Sequence, residues 1–189
     1  LLSLPFVKTK NMKKTVLVSG GAGYIGSHVT VELINAGFDV VVADNMSNCD
    51  MTCFEGVKKI TGREDIPFVK MDFCDAEAVD KLFTDYHIDA VIHFAAFKAV
   101  GESVADPLKY YGNNLESFVN VIGAAHRHGL HNILFSSSAT VYGQAEDLPV
   151  TEKTPRLPAT SPYGNTKQIC EDILRDCTSA YKDIKGIAL

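Results

Sequence analysis

No stretch of this sequence stays apolar for the ~20 residues that a membrane-crossing helix needs. CxxC spacings are missing, as are paired histidines at ligand intervals, so nothing marks a zinc framework or another metal site. The basic residues are scattered and the formal net charge is −5, which leaves no cationic face for a nucleic-acid backbone. Internal linkers, repeats and low-complexity segments are also lacking. Cys49, Cys53, Cys74, Cys170 and Cys177 make an odd set. Thiols used this way read as reduced, and the expectation is a soluble cytoplasmic protein.

The 189 residues are enough for one well-buried domain, and 46% apolar with 22% charged residues is an ordinary globular balance. Strand-like runs recur at TVLVSG, DVVVADN, IPFVKMD, DAVIHFAA, NILFSSS and IKGIAL. Each is short, rich in Val, Ile and Phe, and nearly continuous in apolarity, as in a parallel sheet covered on both faces. Between them, helical spacing predicts helices over 24–36, 52–61, 76–86, 107–128 and 162–182. Gly37 and Gly129 suit left-handed C-terminal caps, and Pro107 and Pro162 suit first turns. Right-handed βα crossovers then give an α/β, doubly wound parallel sheet, a Rossmann fold with helices on both faces, over residues 13–189. Residues 1–12 read as an irregular leader with the natural start at Met12. The final apolar run has no turn signal after it, so part of a longer protein is expected.

The first strand enters SGGAGYIGSH, with Gly20, Gly23 and Gly26 spaced GxxGxxG. Glycines there let backbone approach a pyrophosphate, and the helix that follows presents its N–H groups and positive dipole end. Asp44 closes the second strand, where a carboxylate accepts a ribose 2′-hydroxyl and repels a 2′-phosphate, favouring NAD over NADP. In SPYGNTK, Tyr163 and Lys167 lie one helical turn apart. A free phenol titrates near pH ~10, but a cation within ~4–6 Å favours phenolate, and an oxidised nicotinamide would add a second positive charge. Ser136, Ser137 and Ser138 end the fifth strand at the carboxyl edge of the sheet, where ligands of such folds bind.

The stretches VLVSGGAGYIGSH, VVADNMSN, VIHFAAFKAVGESV, YYGNN, FSSSATVYG and SPYGNTK resemble the UDP-glucose 4-epimerase family, within the extended short-chain dehydrogenase/reductase superfamily. The resemblance implies that Gly20, Gly23, Tyr24, Ile25 and Gly26 hold the pyrophosphate, that Asp44, Asn45 and Asn48 hold the adenosine ribose side, and that Asp72 and Phe73 flank the adenine. Ala95, Ala96, Lys98 and Asn113 would line the cofactor channel, with Ser136 near the nicotinamide half. Ser138, Tyr163 and Lys167 would be the catalytic group. The implied activity is interconversion of UDP-glucose and UDP-galactose by transient NAD-dependent oxidation at the sugar C4. Tyr163 would take the 4-hydroxyl proton, Ser138 would bond that oxygen, and Lys167 would bond the nicotinamide ribose. The implied partners are a UDP-sugar and a second copy of the chain, the homodimer forming through helices near 105–128 and 162–182.

Three departures stand beside that resemblance. Cys49 replaces a frequent serine, Ala96 replaces a common glycine, and the sequence stops before the Tyr-Phe-Asn segment and most of the substrate-binding domain. An NAD-binding or regulatory module without turnover is therefore an alternative reading. A nucleotide-sugar 4,6-dehydratase would carry an Asp-Glu pair where Ala139 and Thr140 stand, and it lacks its acid and base here. The histidines of HRHGLH read as helix-end residues, His93 as a satisfied core residue, and Cys49 with Cys53 as helix-start packing.

Overall fold

The structure is a computed structural model that describes residues 13–146 and 148–189, so the expected leader over 1–12 lies outside the described residues. Its elements are β1 (Thr15–Ser19), α1 (Tyr24–Asn35), β2 (Asp39–Asp44), α2 (Thr52–Thr61), β3 (Phe68–Lys70), α3 (Ala76–Asp85), β4 (Ala90–His93), α4 (Val100–Ala105), α5 (Pro107–Arg127), β5 (Asn132–Phe135), a 3₁₀ turn (Ala139–Tyr142), α6 (Pro162–Ala180) and β6 (Lys185–Ala188). The six strands form one parallel sheet in the order β3-β2-β1-β4-β5-β6. This is the expected doubly wound sheet, and its order reverses between β1 and β4, where ligands of such sheets bind.

The near-continuous apolarity of the strands has a direct cause. Leu17 of β1 points into one core with Val41, Val91, Phe118, Val121, Phe135 and Leu174. Its neighbours Val16 and Val18 point into the other with Val40, Val42, Phe54 and Val57. Because both faces are covered, every position of β1 must be apolar or satisfied, and each fully buried Val or Leu contributes roughly 1.5–3 kcal/mol. Ser19 and His93 meet this requirement together, with the Ser19 hydroxyl bonded to His93 Nδ1 at 2.7 Å. Only 1% exposed, His93 is the satisfied core residue expected. Burial pushes it down to about 3, so it stays neutral.

Gly37 and Gly129 take the left-handed conformation, with φ of 90° and 66°. Asp106 caps α5 by accepting from the Lys109 N–H at 3.3 Å, and Ser161 caps α6 by accepting from Gly164 N–H at 3.1 Å. The expected helices overrun the observed ends of α1, α3, α5 and α6 by one or two residues, where terminal turns loosen. Two elements go beyond the sequence reading: α4, too short to show a helical period, and the 3₁₀ turn after Ser138. The HRHGLH histidines find separate neighbours. His126 stacks on Tyr181, His128 joins Arg127 at Asp80, and His131 approaches Asp183 at 3.6 Å. All five cysteines are free thiols. Among the described residues no helix is long and apolar enough to cross a membrane.

Candidate active site

A cleft of about 580 Å³ opens at the carboxyl ends of the strands. Its lining includes every cofactor and catalytic residue expected from the sequence: Gly20, Gly23, Tyr24, Ile25, Gly26, Asp44, Asn45, Asn48, Asp72, Phe73, Ala95, Ala96, Lys98, Asn113, Ser136, Ser138, Tyr163 and Lys167. Residues scattered along the chain meet there because they follow strand ends or lie in the first two turns of helices.

At one end, Gly20 has φ of 72°, and a Cβ on it would lie 2.7 Å from the backbone nitrogen of Ala95. A Cβ on Gly26 would collide with the Gly20 carbonyl oxygen and lie 2.7 Å from the Gly21 Cα. Gly23, which caps α1 without a side-chain bond, would bring a Cβ only to 3.3 Å from the Gly20 oxygen. The first and third glycines thus let the turn close on itself, while the second leaves the helix N-terminus bare toward the cleft. Gly21 is as constrained, because a Cβ on it would lie 2.9 Å from the Val18 carbonyl oxygen and 2.8 Å from Val42 Cγ1. The GxxGxxG reading did not mark it.

Asp44 ties this turn to the loop after β2. Its Oδ2 accepts from the Ala22 N–H at 3.1 Å, and its Oδ1 accepts from the Met46 N–H at 2.9 Å. The Cys49 thiol approaches Oδ1 at 3.6 Å; burial, reinforced by the carboxylate, pushes that thiol up to about 11 and keeps it a neutral donor. Cys49 and Cys53 therefore belong to the cleft wall as well as to the start of α2. Across from them, Asn45 Nδ2 donates to Asp72 Oδ2 at 3.3 Å.

At the other end, α6 carries Tyr163 and Lys167 on consecutive turns, both buried. Lys167 Nζ donates to the Ser136 carbonyl at 2.7 Å and sits 4.6 Å from the centre of the Phe135 ring and 6.0 Å from that of Tyr163. Burial pushes Lys167 down to about 8. The Ser138 hydroxyl accepts from the Thr140 hydroxyl at 2.9 Å and from the Thr140 N–H at 3.3 Å.

A family model described as GDP-mannose 4,6 dehydratase matches residues 17–186. The chain belongs to that family. Among its relatives it is similar to the UDP-glucose 4-epimerase of Bacillus subtilis (strain 168), 54% identical over 165 residues that cover 87% of this chain and 48% of that protein. It is also similar to UDP-glucose 4-epimerase 2 of Arabidopsis thaliana, 45% identical over 180 residues that cover 94% and 51%. A solved UDP-glucose 4-epimerase from Bifidobacterium longum in complex with NAD+ and UDP superposes with a TM-score of 0.90 at 44% identity, covering 93% of this chain and 52% of that one. The chain spans about half the length of the curated relatives it matches.

Behind the cleft lining, Glu171, Gln168 and Tyr110 escaped the sequence reading. Ser137 Oγ donates to Glu171 Oε1 at 2.5 Å, and Gln168 Nε2 donates to the carbonyls of Val141 and Leu157 at 2.8 and 2.6 Å. With Lys167 on Ser136, α6 grips the 136–141 segment on both sides of Ser138. Tyr110, fully buried, packs edge-on to Tyr163, accepts from the Ala99 N–H at 3.0 Å and donates to Glu102 Oε2 at 2.6 Å. Burial and the Glu102 bond push its phenol up to about 12.

Proposed function

We propose that this chain is the NAD-binding, catalytic half of an enzyme that interconverts UDP-glucose and UDP-galactose through transient oxidation at the sugar C4. The observation that carries this reading is a single cleft with a side-chain-free glycine turn and Asp44 at one end and Ser138, Tyr163 and Lys167 at the other. That donor set fits an NAD molecule. Backbone of the glycine turn and the bare start of α1 suit the pyrophosphate, the Asp44 carboxylate with Asn45 and Asn48 suits the adenosine ribose side, and Lys98 lines the channel. The family relatives solved with NAD agree with this fit.

When bound, NAD supplies an acceptor that takes a hydride from C4 and returns it. The protein's part is to move one proton and to fix two geometries. Lys167 is charged at pH 7, below its value of about 8, and its cation lies 6.0 Å from the centre of the ring of Tyr163, the residue that takes the 4-hydroxyl proton. An ammonium has three donors. One is spent on the Ser136 carbonyl, which holds the side chain upright and leaves two to reach a ribose hydroxyl. Ser138 already accepts from Thr140, so its own hydroxyl proton is directed to the substrate oxygen.

Neither Ala139 nor Thr140 offers a carboxylate, so the acid and base that an elimination across C5 and C6 needs are missing beside Ser138. That favours epimerisation over dehydration within the family. The reading extends to a cytoplasmic setting and to a homodimer through α5 and α6. Leu108 and Val119 of α5, 81% and 50% exposed, support such a contact. The test of function is conversion of UDP-galactose to UDP-glucose with added NAD by the chain and by Tyr163→Phe. Product from the wild type only is expected. Equal turnover by both removes Tyr163 from the chemistry, and NAD binding with no turnover by either favours the binding-module reading.

A further inference from the structure

We infer that Asn120, beyond the cleft-lining Asn113 and Ser117 on the same face of α5, is a positioning residue that braces the wall against which the adenine of NAD lies. The inference rests on the cofactor reading above and names a residue that does not itself line the cleft. The wall is the turn after β3, which carries Asp72 and Phe73 into the cleft. That strand has three residues, stands at the edge of the sheet and pairs with β2. A backbone bond from the Met71 N–H to the Asp44 carbonyl, at 3.1 Å, ties the turn to the sheet. Local bonds shape it further: the Asp75 N–H to the Asp72 carbonyl at 3.2 Å, and the Cys74 N–H to Asp72 Oδ1 at 2.9 Å. The Asn45 Nδ2 bond to Asp72 Oδ2 at 3.3 Å holds its cleft side, and the buried rings of Phe73 and His93 meet edge-on beneath it.

Asn120 holds the backbone of the turn from α5. Its Nδ2 donates to the Phe73 carbonyl at 3.0 Å and to the Cys74 carbonyl at 3.1 Å, reaching 47 and 46 residues back along the chain. A carboxamide nitrogen carries two N–H donors, so one side chain satisfies two successive carbonyls and fixes the orientation of the peptide between them. The support behind it is firm, because Phe118 and Val121 of the same helix are fully buried. The Cys74 thiol adds a weak contact to the Asn113 carbonyl at 3.6 Å, and burial pushes that thiol up to about 12, so it remains a donor. α5 therefore supports the adenine side of the cleft, as α6 supports the nicotinamide side.

The test compares NAD with its hypoxanthine analogue, deamino-NAD, by calorimetric titration of the wild type and of Asn120→Leu, which keeps the volume and removes both donors. The wild type is expected to prefer NAD. The variant is expected to bind NAD roughly tenfold more weakly, the effect of losing two hydrogen bonds, with the preference falling toward one. A purely structural role would leave that preference intact. Asn120→Ser, too short to reach both carbonyls, gives the same reading if the leucine variant does not fold. Equal wild-type affinity for the two dinucleotides, or an unchanged preference in a folded variant, overturns the inference alone. A wild type that binds neither overturns the cofactor reading and this inference with it.

Discussion

Replacing Lys167 with methionine should stabilise the protein while removing the chemistry proposed for it. Lys167 is 4% exposed, and burial lowers it from 10.5 to about 8. At pH 7 the folded protein therefore carries a charge that costs roughly 3 kcal/mol relative to the unfolded chain. Methionine fills a similar volume without charge. It forfeits the bond to the Ser136 carbonyl, about 1 kcal/mol, so the net gain is about 2 kcal/mol, or a shift near ~1 M in the urea midpoint. The sign can be checked with pH. Between about 8 and 10.5 the folded lysine has lost its proton while the unfolded one keeps it, so wild-type stability from this group rises across that window. The advantage of the variant should then shrink to nearly nothing by about pH 9.5. The half-buried thiols Cys49 and Cys74 and the buried Cys170 work the other way, because they hold protons that unfolded thiols release near 9.0. Cys49 and Cys74 affect both proteins alike and cancel in the difference, whereas Cys170 loses the downward pull of the Lys167 charge in the variant and keeps its proton more firmly. Urea unfolding at pH 7 and pH 9.5 is the assay. A variant less stable than the wild type at pH 7, or one whose advantage survives at the higher pH, would refute the reasoning.

His93 should make the fold acid-sensitive: below 6.5 the unfolded chain takes a proton that the folded one refuses until about 3, costing roughly 2 kcal/mol between pH 6.5 and 5. His93→Gln should flatten that slope in urea titrations, and identical slopes would contradict it. Gly26→Ala forces a Cβ into the Gly20 carbonyl and should cost about 1–3 kcal/mol of stability, with NAD affinity falling alongside, whereas Gly23→Ala should fold nearly as well as the wild type. Thermal melts and NAD titration of the pair decide this, and equal damage from both would mean the turn is not packed as described. Asp44→Ala removes the carboxylate that holds Ala22 and Met46; it should weaken NAD at least ~tenfold and narrow the preference over NADP. An unaltered preference in competitive titrations would exclude Asp44 from the ribose site.

What could be read in the sequence was whatever local pattern dictates. Six apolar runs gave the strands because both faces of the sheet are covered, and the glycine spacing, Asp44, Ser138, Tyr163 and Lys167 were visible because each sits at a fixed offset from a strand end or helix start. Long-range pairing was not visible. Glu171 on Ser137, Tyr110 on Ala99 and Asn120 on Phe73 join residues between 11 and 47 positions apart, and no periodicity encodes such partners. Lys167 is the instructive case. Its spacing from Tyr163 pointed to a cation beside a phenol, and the fold adds that the ammonium is held by the Ser136 carbonyl and buried deeply enough to weaken its own charge.

The proposed reaction requires that hydride leave C4 of the sugar and return to it within this cleft. The most direct test is to supply UDP-galactose deuterated at C4, with NAD and the purified chain, and to examine the product by mass spectrometry and NMR. UDP-glucose that retains deuterium at C4 is the predicted result, because a transferred hydride does not exchange with water. UDP-glucose that has lost the label to solvent, or no UDP-glucose at all, would contradict the account.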